Sequence, residues 1–166
     1  PVMGPRSREL LSSLTDSDMS DAGFGFRESR LIDVGMTFAR ATRITFVGEL
    51  GYELLVPADQ AVHVYDELIA AGEAVGLQHA GYHALNSLRL EKAYRSWGHD
   101  VSWADNPFEA GLGRFVSLAK NDFVGRDAAA REKETGGERR LAVFAVDATD
   151  SDCIGDEPVW HDGQVV

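Results

Sequence analysis

The apolar positions along the chain change period several times, and each change marks an expected element. In PRSRELLSSL, Leu10, Leu11 and Leu14 fall at helical spacing behind Pro5, which predicts a short helix. The polar, glycine-bearing run TDSDMSDAGFGF reads as a loop whose Phe24 and Phe26 drop into a core. From Met36 to Phe46, MTFARATRITF alternates, with Phe38, Ile44 and Phe46 on one face. This predicts a long strand, with GYELLVP from Gly51 as its hairpin partner. Between the two stands Gly48-Glu49-Leu50-Gly51. Glycine weakens a strand, because it packs nothing and loses the most backbone entropy on ordering. Two glycines around one carboxylate therefore predict a bend.

After Pro57 the period becomes helical. Val62, Tyr65, Leu68 and Ile69 form one stripe, which Gly72 or Gly76 ends. AGYHALNSLRLEKAYRSWG predicts a second helix with Leu85, Leu88 and Leu90 on its buried side. DVSWADNPFEAGLGRFVSL reads as a loop leading into a short strand over 115–118, and FVGRDAAAREKE as a third helix stopped by Gly136-Gly137. RRLAVFAVD alternates Leu141, Val143 and Ala145 against Ala142, Phe144 and Val146, a strand pattern. PVWHDGQVV predicts a hairpin turning on Asp162-Gly163. Helix-bearing sequence thus gives way to all-β sequence, and a domain boundary is expected at about 136–140, with 1–138 before it and 139–166 after it.

Composition narrows the function classes. At 166 residues and 44% hydrophobic, the chain can bury a core and is not disordered. The formal charge of -11 argues against a general nucleic-acid surface and against adhesion to anionic membranes. Of the 16 basic residues 13 are Arg, which permits planar recognition of a carboxylate held locally. No apolar run approaches the length of a membrane span. Cys153 is the only cysteine, which rules out an intrachain disulfide and a cysteine-built metal site. A reduced compartment follows: the cytoplasm, or the mitochondrial matrix in a eukaryote. The chain starts at Pro1 and stops at HDGQVV, a strand just leaving a turn, which is the expectation for a fragment.

Candidate chemistry is sparse. His63, His79, His83, His99 and His161 lack metal-ligand spacing. His79 and His83 stand four apart, but His79 precedes the helix start at Gly81, so a surface or capping role is expected and no metal. GFGF, GELG and GLGRF lack the following helix that a phosphate cradle needs. Arg89, Glu91 and Lys92 read as an ion-pair face. Tyr82, Tyr94 and Trp97 suit either a core or the wall of a pocket for a flat ring. Glu49 has two readings: a turn-tip carboxylate in solvent, or a fork accepting two N–H donors from a guanidine-like edge such as that of a pterin.

Four ordered motifs, RITFVGELGYELLVP, AGYHALNSLRLEKAYRSWGHDV, NPFEAGLG and FVGRDAA, resemble the folate-binding aminomethyltransferase family, which includes the T-protein of the glycine cleavage system. LRLEKAYRSWGHD looks closer to the C-terminal tetrahydrofolate domain of dimethylglycine and sarcosine dehydrogenases. The resemblance covers nearly the whole chain. It implies an α+β fold: the later half of the family's folate-binding domain, an antiparallel sheet with helices, followed by the first strands of a C-terminal β-barrel.

By the same resemblance, Glu49 takes the place of the family's pterin-contacting glutamate, and Tyr52 follows in the same turn as a pocket wall. An arginine that contacts folate in the T-protein branch is replaced by Leu85, leaving Arg89 as a group that could supply the contact. Trp97-Gly98 keeps an aromatic beside a glycine. The cofactor implied is tetrahydrofolate, with FAD confined to an upstream domain of a longer parent, and the small-molecule partners are folate and a methylated amine. Nothing in residues 1–35 resembles the family's catalytic-aspartate segment, so no catalytic residue is assigned and the fragment by itself is expected to be inactive. Strands from Leu141 onward should lack partners, which predicts strand exchange, a dimer or disorder beyond about 138. A non-catalytic regulatory or assembly domain of the same fold is the alternative, and a plain interaction module a weaker one.

Overall fold

The structure, a computed structural model, describes residues 1–151 and 153–166. The chain divides into two compact units, Pro1–Ser102 and Trp103–Val166. The boundary expected at 136–140 falls inside the second of them.

In the first unit, β1 (Val2–Met3), β2 (Ser29–Val34), β3 (Thr37–Thr42) and β4 (Gly51–Leu55) form one antiparallel sheet in the order β1-β4-β3-β2. Helices α1 (Ser7–Ser12), α2 (Ala61–Gly72) and α3 (Tyr82–Glu91) complete the unit. The α+β class is as expected. The β3–β4 hairpin and the three helices are also where the sequence pattern puts them.

Strand β2 was not anticipated. It pairs with β3 from Ser29↔Thr42 to Val34↔Thr37 around a turn at Gly35, whose φ of +57° suits glycine. Strand β3 is also shorter than expected. At its end the Ile44 N–H donates to Thr42 O at 3.0 Å, a three-residue turn that breaks the alternation before Ile44 and Phe46.

The buried face of β3 is the opposite of the one expected. Ala39 and Ala41 join Leu11, Met19, Phe24, Ile32, Val34, Tyr52 and Val64 in the core, while Phe38 is 65% exposed. The two alanines share one buried cluster with Val64 of α2, where small size outranks hydrophobicity. The same correction applies to α2, where Val64 is buried and Val62 exposed, and to α3, where Leu88 and Leu90 are exposed and Arg89 is buried. Phe24 is buried as expected; Phe26 lies on the surface.

The second unit contains a 3-10 turn at Gly113–Phe115, α4 (Arg126–Thr135) and a hairpin of β5 (Trp160–His161) and β6 (Gln164–Val165). Gly136 follows α4 with φ +69°, the expected stop. Asp162 and Gly163 both have positive φ, as a tight hairpin turn of this type requires. The strands expected at 115–118 and across RRLAVFAVD are not formed. Phe144 and Val146 are exposed, because alternation alone cannot hold an extended segment without a neighbouring strand. NPFEAGLG has a structural explanation. Asn106 Oδ1 accepts the Glu109 N–H at 3.0 Å and the Glu109 carboxylate accepts the Asn106 N–H at 3.0 Å, a reciprocal capping exchange. Arg139 donates to the same carboxylate at 3.1 Å; the Asn106 N–H first, and then the Arg139 guanidinium, hold Glu109 below the usual glutamate range.

Candidate functional site

The Gly48–Gly51 bend is fixed from several sides. Leu50 O accepts the Gly4 N–H at 2.8 Å and the Ser7 hydroxyl at 3.2 Å. Gly48 has φ +75°, and a Cβ there would lie 2.5 Å from Lys92 Cγ. Gly51 sits against β1, where a Cβ would meet Met3 Cγ at 2.9 Å and Ile44 O at 3.2 Å. One glycine supplies a backbone conformation and the other a close approach, so both are needed to shape the bend.

Glu49 stands at the edge of a cleft of about 320 Å³. Met3, Leu68, Ile69, Leu85 and Leu88 give it apolar walls, and Tyr65 and His79 add an aromatic side. The Glu49 side chain is 47% exposed, and its Oε1 lies 3.8 Å from Lys92 Nζ, a loose pair worth little. The Tyr65 and His79 rings stack with centroids 5.9 Å apart and planes 17° apart, and Tyr65 Oη lies 3.3 Å from His79 Nε2. A cleft with apolar walls, an aromatic side and one accessible carboxylate suits a small, partly flat ligand that offers N–H donors.

The other three residues singled out from sequence lie elsewhere. Tyr52 is fully buried, its ring 5.6 Å from Phe24 and its hydroxyl 3.4 Å from Arg8 Nε; it is a core residue and does not wall the cleft. Even period on β4 decides this, since Glu53 takes the outward face. Arg89 is 3% exposed and committed to protein partners. Its guanidinium pairs with Asp100 and donates to Tyr94 O at 2.9 Å and Asn86 Oδ1 at 3.2 Å, so it does not replace an arginine at Leu85. Asp100 also accepts the Ser96 N–H at 2.8 Å. Burial pushes the Asp100 carboxyl up, but the Ser96 N–H and the Arg89 guanidinium outweigh it and hold the group below the usual aspartate range. Trp97 is 73% exposed, in the turn that this clamp closes, and does not line the cleft.

Leu85 does line the cleft, together with Glu49. Tyr65, His79 and Asp100 were missed. In sequence Tyr65 belongs to a helical stripe and His79 reads as a surface or capping residue; no spacing joins either to Glu49. Among the described residues no cluster could hold a metal ion, and no helix is long and apolar enough to cross a membrane.

The fold is that of a mixed α+β domain with an apolar cleft that Glu49 borders. Residues 1–120 match the GCVT N-terminal domain, and the chain belongs to this family. It is 43% identical over 98% of its length to 4-methylaminobutanoate oxidase (formaldehyde-forming) of Paenarthrobacter nicotinovorans, covering 20% of that protein. It is 40% identical over 99% of its length to human mitochondrial dimethylglycine dehydrogenase, covering 19% of it. It is also 36% identical over 86% of its length to an aminomethyltransferase of Alkaliphilus oremlandii, covering 39% of it, and 37% identical to the mouse mitochondrial pyruvate dehydrogenase phosphatase regulatory subunit. The chain spans about a fifth of the length of the first two relatives.

Proposed function

We propose that this chain is the tetrahydrofolate-binding part of a longer aminomethyltransferase-like enzyme, one that passes a one-carbon unit from a methylated amine of the dimethylglycine or sarcosine type to tetrahydrofolate. The observation that carries the reading is Glu49, held on a glycine-shaped bend at the edge of an apolar cleft. Its carboxylate is half exposed and only loosely paired, so it is available to accept N–H donors from the guanidine-like edge of a pterin. The cleft volume is in the range of small-ligand sites. When bound, tetrahydrofolate supplies the nucleophilic nitrogens that capture the one-carbon unit. The chain's contribution is to hold and orient the ring and to exclude water around it. In this reading the segment from Leu141 on belongs to a β-barrel whose remaining strands lie outside the chain, and any FAD lies in another part of the parent.

The test is calorimetric titration of tetrahydrofolate into the intact parent protein and its Glu49→Gln variant. Replacing the charged acceptor should weaken binding roughly 10- to 100-fold, the span expected of charge-assisted hydrogen bonds. Equal affinity for the two proteins would remove Glu49 from the site.

A second reading, a non-catalytic regulatory or assembly domain, is favoured by the 37% identity with a regulatory subunit and by Leu85 at the place of the folate-contacting arginine. It predicts no heat of binding from wild-type protein with tetrahydrofolate.

A further inference from the structure

We propose that Tyr65 and His79 form the stacking wall that selects the flat ring of the ligand, a specificity role separate from that of Glu49; the inference rests on the tetrahydrofolate reading above. Tyr65 comes from α2 and His79 from the segment just before α3, and the two rings meet nearly parallel in the lining of the cleft that Glu49 borders. An aromatic on a helix is ordinarily turned into the core, yet Tyr65 is 51% exposed and His79 is exposed as well. Their mutual contact contributes little to the core, which gathers around Val64 on another face of the same helix. The bond between Tyr65 Oη and His79 Nε2 ties the two rings together, so the wall is ordered before a ligand arrives.

The chemistry of the two groups differs. A carboxylate reads a ring edge, because it must meet N–H donors in the ring plane, whereas an aromatic wall reads the ring face. The pair together discriminates a planar heterocycle with an N–H edge from an amine or peptide that offers donors without a face. Both rings sit at the surface, so changing them perturbs recognition without touching the buried cluster.

The experiment is calorimetric titration of the intact protein with tetrahydrofolate and, separately, with p-aminobenzoylglutamate, which lacks the bicyclic ring. His79→Ala and Tyr65→Ala should each weaken tetrahydrofolate about tenfold, by the scale of ring-on-aromatic stacking, and leave p-aminobenzoylglutamate unchanged. His79→Phe, which keeps the stacking face and loses the hydrogen bond, should restore most of the affinity. In wild-type protein the His79 ring proton resonances should move on adding tetrahydrofolate, as a neighbouring ring current requires. If wild type binds, Glu49→Gln weakens it and His79→Ala does not, the wall is overturned while the folate reading stands. If wild-type protein does not bind tetrahydrofolate, both are overturned.

Discussion

Removing the Asp100 carboxylate is the sharpest test of how the structure is held beyond α3. The Arg89 guanidinium is 3% exposed, and Asp100 is its only anionic partner among the described contacts. Asp100→Ala leaves a buried cation without its counter-charge, which typically costs about 3–5 kcal/mol. Two features lower the figure here: Arg89 keeps Tyr94 O and Asn86 Oδ1 as acceptors, and the Asp100 side chain is 22% exposed and so partly hydrated. A loss of about 2–3 kcal/mol is expected. Asp100→Asn keeps the shape and an acceptor oxygen for Arg89 and the Ser96 N–H, and should cost nearer 1 kcal/mol.

The pH dependence gives an independent reading. The native carboxyl titrates below its usual value, so its stabilisation is full above an unfolded pKa of about 3.9 and is lost as the pH falls through the lower native value. The gap between wild type and Asp100→Asn should therefore be constant near neutrality and close below about pH 4. Urea unfolding at a series of pH values, with thermal scans beside it, measures both quantities. At roughly 4–8 °C per kcal/mol for a unit of this size, Asp100→Ala should lower Tm by about 10 °C or more. A change under about 0.5 kcal/mol, or a gap that persists unchanged into acid, would refute the clamp.

Three further outcomes follow from the packing. Gly48→Ala should cost about 1–2 kcal/mol in urea unfolding because Gly48 sits at φ +75°, and a Lys92→Ala background should rescue little of it, since the strain lies in the backbone. Tyr52→Ala should lose about 3–5 kcal/mol by calorimetry, whereas Tyr52→Phe, which gives up only the 3.4 Å contact with Arg8, should stay within about 1 kcal/mol. Ala41→Leu should cost about 1–3 kcal/mol by overpacking the buried cluster, while Phe38→Ser on the exposed face should stay within about 0.5 kcal/mol in the same assay.

What could be read from the sequence was local. Gly136 ends α4 and Asp162-Gly163 turns the last hairpin because each of these residues supplies a backbone conformation that its neighbours cannot. The existence of the β3–β4 pairing and of the three longer helices follows from pattern and stop signals, though the buried faces do not. The face of β3 cannot be read this way, because Phe38 and Ala39 differ in hydrophobicity in one direction and in fit within the buried cluster in the other. RRLAVFAVD has the pattern of a strand but no ladder, since pairing depends on a second segment that one strand's sequence does not reveal. For the site, the two glycines predict the bend that carries Glu49, while the spacing leaves its carboxylate open between solvent and a ligand. The ion pair expected of Arg89 forms, but its burial and its partner are not legible, because a buried guanidinium and an exposed one look alike in sequence and Asp100, eleven residues on, meets it only when the chain turns back.

The placement of these residues separates the scaffold of the site from its reading groups. The bend depends on Gly48, on Gly51 and on Leu50 O, which accepts from Gly4 and Ser7. The turn after α3 depends on the Arg89–Asp100 pair. None of these contacts uses the Glu49 carboxylate, whose one close partner among the described residues is Lys92 at 3.8 Å, with both side chains nearly half exposed. Such a pair contributes about 0–1 kcal/mol, so Glu49 can change with little loss of stability. Tyr65 and His79 are placed in the same way, at the surface of the cleft and outside the buried cluster. Fold and ligand recognition are thus separable in this chain, and its relatives include both enzymes and a regulatory subunit. In the proposed reading the ligand is recognised at Glu49, Tyr65 and His79, where substitutions should move affinity and leave the unfolding transition in place.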